Sequence, residues 1–142
     1  MRDGHSSISA ELLQAYSETD YIVHHAPPFT LKIGETSPAL LQLFDKTNAL
    51  CAAFITAYNP FSESLPEYKN KEHQAQLEAD LKKRSLQFID GIGQHPSGDW
   101  PGEPSVLVLD LDLAAATVLA KHYQQNAFVW CGRDGVPQFV AS

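Results

Sequence analysis

The stretch Ala49-Leu-Cys-Ala-Ala-Phe-Ile-Thr-Ala-Tyr58 is apolar throughout except for Thr56, and Asn59-Pro60 stops it. Phe54, Ile55 and Tyr58 favour extended backbone, and the closing proline denies a helix its continuation. A strand apolar on both faces belongs in the middle of a sheet. The rest of the chain is read as layers around this strand.

Downstream, a polar helix is predicted from Glu67 or Asn70 to Arg84. Its apolar stripe is thin, Leu77 and Leu81 with Gln74 and Ala75 beside them, so it should lie on the surface over one sheet face. Leu86 to Ile89 reads as a strand ending at Gly91, and Ser105 to Leu111 as a strongly buried one. Asp112 caps a helix with Leu113, Ala116, Thr117 and Ala120 facing inward. Ala127 to Trp130 is a strand, Gly132-Arg133-Asp134-Gly135 a hairpin loop, and Val136 to Val140 the returning strand. Upstream lie a short helix from Ile8 to Tyr16, strands at Tyr21 to His25 and Phe29 to Ile33, and a helix capped by Ser37 with Pro38 at its first position.

The order from Ala49 to Trp130 is β-α-β-β-α-β, an α+β fold of ferredoxin-like type: an antiparallel sheet with both helices on one face. At 142 residues the chain is expected to be one domain. Residues 1–48 are an N-terminal helix/hairpin/helix addition, 49–131 the core, and 132–142 an extra C-terminal strand. Two helices cover only one side of such a sheet, which leaves the other face available for a homodimer.

A net charge of −7 argues against nucleic acid, whose binding rests on a Lys/Arg surplus. Lys82-Lys83-Arg84 reads as a solvated last helical turn, where cations suit the helix dipole. The sequence has no apolar run of membrane-spanning length, and its first residues lack the apolar core of a secretory signal, so a cytoplasmic protein is expected. Cys51 and Cys131 fit neither zinc nor redox spacing and read as small buried side chains on neighbouring strands.

Strand direction makes a sharper statement. Asn59 ends the first core strand, Gly91 and a long loop end the second, Glu103 and Ser105 start the third, and Gln125-Asn126 start the fourth. All four positions fall at the same end of the sheet. The first long helix also begins there, near Ser62, Ser64 and Asn70, where free backbone N–H groups attract anions. The candidate ligand-binding residues are therefore Asn59, Ser62, Trp100, Glu103, Ser105 and Asn126.

Each has a plain reading as well. Asn59 can satisfy turn backbone through its amide. Glu103, between Gly102 and Pro104, can tie down its loop; if buried, its carboxyl would rise toward acid/base usefulness, with His95 as a weaker partner. Trp100 is a core lid or an aromatic platform. Gln125 or Asn126 is read as a left-handed helix cap. Gly91-Ile-Gly93 fails the dinucleotide fingerprint, because Pro stands at 96 and a strand follows, so its glycines are read as a positive-φ turn. His95, Asp99 and Glu103 recur at spacing four on one loop, too sparse for a metal cage, and His24-His25 point to opposite strand faces. Ser62 and Ser105 lack a nucleophile elbow. Neither metal nor cofactor is expected.

Taken together, Tyr16-x-x-Thr19-x-Tyr21, Ile33-Gly34, Ala53-Phe-Ile-Thr-Ala-x-Asn-Pro-x-Ser62, Gly91-x-Gly-x-x-Pro-x-Gly-x-Trp100, Glu103-x-Ser105 and Gln125-Asn-Ala127 resemble the bacterial domain-of-unknown-function family 3293 over nearly the whole chain. The family pattern more often has an acidic residue where His95 stands, which weakens His95 as a catalytic residue. The resemblance implies a complete small bacterial domain and supplies no reaction.

Two readings stay open. In the first, the sheet edge of a binding or regulatory module holds a small polar ligand or peptide. In the second, a small hydrolase or transferase uses Glu103 as general acid/base with Asn59 as polar stabiliser. A protein-interaction or immunity-type partner is the third.

Overall fold

The computed structural model describes the backbone of residues 2–98 and 101–142, and side chains from residue 10 onward. Twelve segments alternate along it: α1 (Arg2–Glu18), β1 (Asp20–Val23), β2 (Phe29–Leu31), α2 (Pro38–Thr47), β3 (Ala52–Ile55), a 3-10 turn (Pro60–Ser62), α3 (Glu67–Lys83), β4 (Phe88–Gln94), β5 (Glu103–Leu109), α4 (Leu113–His122), β6 (Ala127–Cys131) and β7 (Pro137–Ala141). The strands form one sheet in the order β2-β1-β4-β5-β3-β6-β7, antiparallel at every junction.

The apolar strand β3 sits inside, flanked by β5 and β6, with all four of its residues buried. Its alternating side chains divide the core in two. Ala53 and Ile55 join Leu77 and Leu81 of α3 and Ala116, Leu119 and Ala120 of α4 on one face. Ala52 and Phe54 join Leu40, Leu43 and Phe44 of α2 on the other, with Tyr16 of α1 packed against them. Each such fully buried large apolar side chain is worth about 1.5–3 kcal/mol over its exposed state. The second face is therefore covered by α2 and α1, and is not the open surface on which the homodimer expectation rested. Helix α2 is started by Ser37, whose hydroxyl accepts from Leu40 N at 3.1 Å, and ends on left-handed Asn48. Helix α4 begins as expected on Asp112, although Leu113 turns out 42% exposed and Leu119, not Thr117, completes its buried stripe.

The sheet is wider than the sequence reading supposed, because the β1–β2 hairpin extends it beyond β4. Strand β4 does not end at Gly91. It continues to Gln94, pairing Gly91 with Val23 and Ser105, and Gly93 with Tyr21 and Glu103. Nor do these glycines serve a positive-φ turn; the described glycines at positive φ are Gly34, Gly98 and Gly135. Gly91 and Gly93 serve a different purpose, and of the two only Gly91 bars a side chain outright. On alternate positions of one face they leave β4 without side chains, and rings settle onto it. A Cβ on Gly91 would stand 3.0 Å from the Phe54 ring and 2.5 Å from the Ile22 carbonyl; above Gly93 lies the Tyr21 ring. Tyr21 and Phe54 meet edge to face over this bare strand, centroids 5.3 Å apart.

Cys51 and Cys131 are free and buried, with Cys131 opposite Ala52 in the β3–β6 register. Burial, helped by nearby Asp134 and Cys51, pushes the Cys131 thiol up to about 12. No described helix is long and apolar enough to cross a membrane.

Candidate functional site

Beyond β3 the chain makes an unusual turn. Asn59, Phe61 and Ser62 all adopt left-handed backbone, with φ of 49°, 57° and 63°. Asn tolerates this region, whereas Phe does so at a cost of about 1–3 kcal/mol that surrounding structure must offset. Here Phe61 N donates to Gln124 O at 2.6 Å and Ser62 N to Asn59 O at 2.9 Å.

Helix α3 supplies the main clamp. Its buried stripe is Asn70, Gln74, Leu77 and Leu81, so the half nearest the turn is polar. Asn70 Oδ1 accepts from Asn59 N at 2.8 Å, and Asn70 Nδ2 donates to Asn59 Oδ1 at 2.8 Å. One turn on, Gln74 Oε1 accepts from Ala57 N at 2.8 Å. Tyr58 is held from both sides: its hydroxyl donates to Glu67 at 3.0 Å, and its carbonyl accepts from Gln125 Nε2 at 3.1 Å.

The outcome is an oriented amide. Asn59 Oδ1 is engaged by Asn70 and by Leu65 N at 3.0 Å, so Nδ2 points the other way and donates to Glu103 Oε2 at 2.8 Å. Glu103 is the first residue of β5, in line with Gly93 and Tyr21 across the sheet. Burial raises its carboxyl above the ordinary range, opposed by the Asn59 bond. Among the described residues, no Lys, Arg or His forms an ion pair with it. The Tyr16 and Tyr21 phenols are also driven up, chiefly by burial, and the Glu103 charge adds to both. Their hydroxyls are committed to structure: Tyr16 donates to Ala127 O at 2.9 Å and Tyr21 to Tyr16 O at 2.8 Å.

Glu103 opens into a cavity of about 500 Å³ on the second sheet face, beside α1. That size suits a small molecule. Tyr16, Tyr21, Phe54 and Tyr58 contribute rings to its lining. Among the described residues its acidic and basic side chains are Glu18, Glu67, Glu103 and His95, with no Lys or Arg. The expected anion-attracting helix start is thus not what the lining offers: Glu67 occupies the first turn of α3.

Of the residues singled out from sequence, Asn59, Ser62, Glu103, Ser105 and Asn126 all border this cavity. Ser105 is buried and donates to the Glu103 carbonyl, while Asn126 Nδ2 donates to Ser62 Oγ at 2.9 Å. Trp100, with Asp99, lies outside the described residues. His95 borders the cavity, but its ring pairs with Glu18 of α1 at 3.2 Å and Ser97 at 2.8 Å, not with Glu103. The left-handed residue after α4 is Gln124, not Gln125 or Asn126; Gln125 is buried and braces Tyr58. Sequence reasoning gave no site role to Thr56, Phe54 or the two tyrosines of the N-terminal segment. Strand alternation carried part of the signal, since positions 54 and 56 share a face with 103 and 105.

A family model described as protein of unknown function (DUF3293) matches residues 55–128, just over half of the chain. The chain belongs to this family. The matched segment contains Asn59, Asn70, Glu103, Ser105 and Asn126, whereas the Tyr16/Tyr21 and Ile33-Gly34 motifs precede it. No curated protein and no solved structure matches the chain.

Proposed function

We propose that this chain is a binding module that holds a small polar ligand, or the end of a peptide, in the cavity between α1 and the sheet. The observation that carries the reading is the Glu103 carboxyl: half-buried, oriented by one amide donor, and bordering a cavity of ligand size in which, among the described residues, there is no Lys or Arg and the one histidine, His95, is paired with Glu18 instead. An acid left this way is a cost to the fold unless something else uses it. Asn59 and Glu103 would read the ligand's polar groups, Ser62, Ser105 and Asn126 would shape the rim, and the tyrosine and phenylalanine rings would enclose it. Trp100 is included as a rim residue on sequence grounds alone. We read the inner strands β4-β5-β3-β6 with α3 and α4 as a ferredoxin-like core, one domain carrying the hairpin and β7 as additions, and the protein as cytoplasmic.

A fragment screen followed by amide NMR tests this. Polar fragments that perturb the Asn59, Glu103 and Asn126 signals together support it; a diverse library that perturbs none of them rules it out.

One observation favours the second reading, a hydrolase or transferase: the raised Glu103 carboxyl is what a general acid needs. Turnover of a model ester, amide or phosphate ester that disappears in Glu103→Gln would support it. No turnover above background across that panel would leave binding as the reading.

A further inference from the structure

Resting on the binding reading of the same cavity, we infer that its ligand carries an organic cation, an ammonium or guanidinium group, seated on Glu103 among the aromatic rings. All three carboxylates among the described lining residues take part in a bond, but two of them, Glu18 and Glu67, are exposed. Glu18 pairs with His95 at 3.2 Å, and Glu67 accepts the Tyr58 hydroxyl at 3.0 Å. Glu103 differs. Asn59 bonds Oε2 only, and among the described residues none donates to Oε1. Oε1 is not a buried orphan; it stands open to the cavity, where an arriving donor can reach it.

The walls select the donor's charge. Tyr16, Tyr21 and Phe54 contribute rings to the lining, and both tyrosine hydroxyls are committed to backbone carbonyls. Aromatic faces attract cations, more strongly where water is excluded. An anion would meet the Glu103 carboxylate with no Lys or Arg among the described lining residues to receive it, and with His95 already paired to Glu18. A neutral donor could bond Oε1 but would leave the charge uncompensated. Burial has driven the Glu103 carboxyl upward, and an arriving cation would reverse that.

The test compares butylammonium and butylguanidinium with their neutral counterpart 1-pentanol and the anion pentanoate, by protein-observed NMR titration at constant ionic strength. The cations should bind at least about tenfold more tightly than 1-pentanol, the loss expected for one charge-assisted hydrogen bond. Pentanoate should not bind. Glu103→Gln should erase the preference, and Asp45→Asn, which removes a remote exposed charge, should keep it. Equal binding of 1-pentanol and the cations at the cavity would overturn this inference and leave the binding module standing. Cation preference that survives Glu103→Gln, or that Asp45→Asn also abolishes, would overturn it as well, as would silence from both cations. The wild-type comparison decides the charge whether or not the variants fold.

Discussion

Asn59 and Glu103 stand 44 positions apart in the chain and share a hydrogen bond of 2.8 Å, with the amide donating. The direction of that bond is fixed two bonds away. Leu65 N and Asn70 Nδ2 both donate to Asn59 Oδ1, so a flipped amide would face two donors with its own NH2. The acid is therefore addressed by a positive dipole that the fold, not the acid, orients.

Glu103→Gln tests what that acid does to stability. A carboxyl whose folded pKa is raised favours the protonated chain on folding. Its effect is most favourable below the ordinary carboxylate value, roughly pH 4, and worsens as pH rises toward the raised folded pKa. Glutamine keeps an acceptor for Asn59 and carries no such penalty. The variant should match the wild type near pH 4 and become the more stable of the two by pH 8, read from urea melts across that range. A variant that loses ground as pH rises would mean the ionised acid anchors its loop.

Asn70→Ala should loosen the turn. It strips Asn59 N of its acceptor and Asn59 Oδ1 of one donor. The expected loss is about 1–3 kcal/mol for a buried polar group left unpaired. Hydrogen exchange at the Asn59 amide should quicken more than exchange in β3. Unchanged protection at Asn59 would show that the left-handed turn stands without α3.

The two glycines of β4 should respond unequally. Gly91→Ala drives a methyl against the Ile22 carbonyl and the Phe54 ring, and should cost about 1–3 kcal/mol as overpacking does. In Gly93→Ala the new methyl meets the Thr19 and Tyr21 side chains at 3.8 Å, ordinary contact, and stability should scarcely change. Denaturant melts of both variants give the comparison, and equal losses would refute the packing account.

Native-state thiols should be inert. With Cys131 pushed up to about 12, its thiolate fraction at pH 8 is on the order of one in ten thousand. Cys51, also raised by burial, donates to Leu111 O at 3.3 Å. Iodoacetamide should label neither until denaturant is added. Rapid labelling of either one in the native protein would contradict its burial.

The convergence of Asn59 and Glu103 was legible because strand direction alone sets which ends meet, and the strands around them are strongly apolar. Ser37, Asp112 and Asn59-Pro60 marked boundaries through local chemistry that tertiary packing did not alter. The continuation of β4 through Gly91 and Gly93 was not legible. Glycine has weak strand preference, and what recruits it here is a pair of rings from β1 and β3. Coverage of the second sheet face also escaped notice, since the amphipathic pattern of α2 says that it packs but not on what. Tyr16 and Tyr21 were visible as spaced aromatics, yet only the docking of β1 on β4 and of α1 against β6 and β7 brings them to the cavity that Glu103 borders.

That docking sets a limit on how the site could be transplanted. The acid, its amide and its clamp fall within residues 55–128, while Tyr16 and Tyr21 come from earlier in the chain. A fragment trimmed to the shared segment would carry the acid and its clamp without the rings that enclose them. It would also bare the edge of β4, an invitation to intermolecular pairing. Grafting or minimising this cavity would have to begin upstream, at the tyrosines.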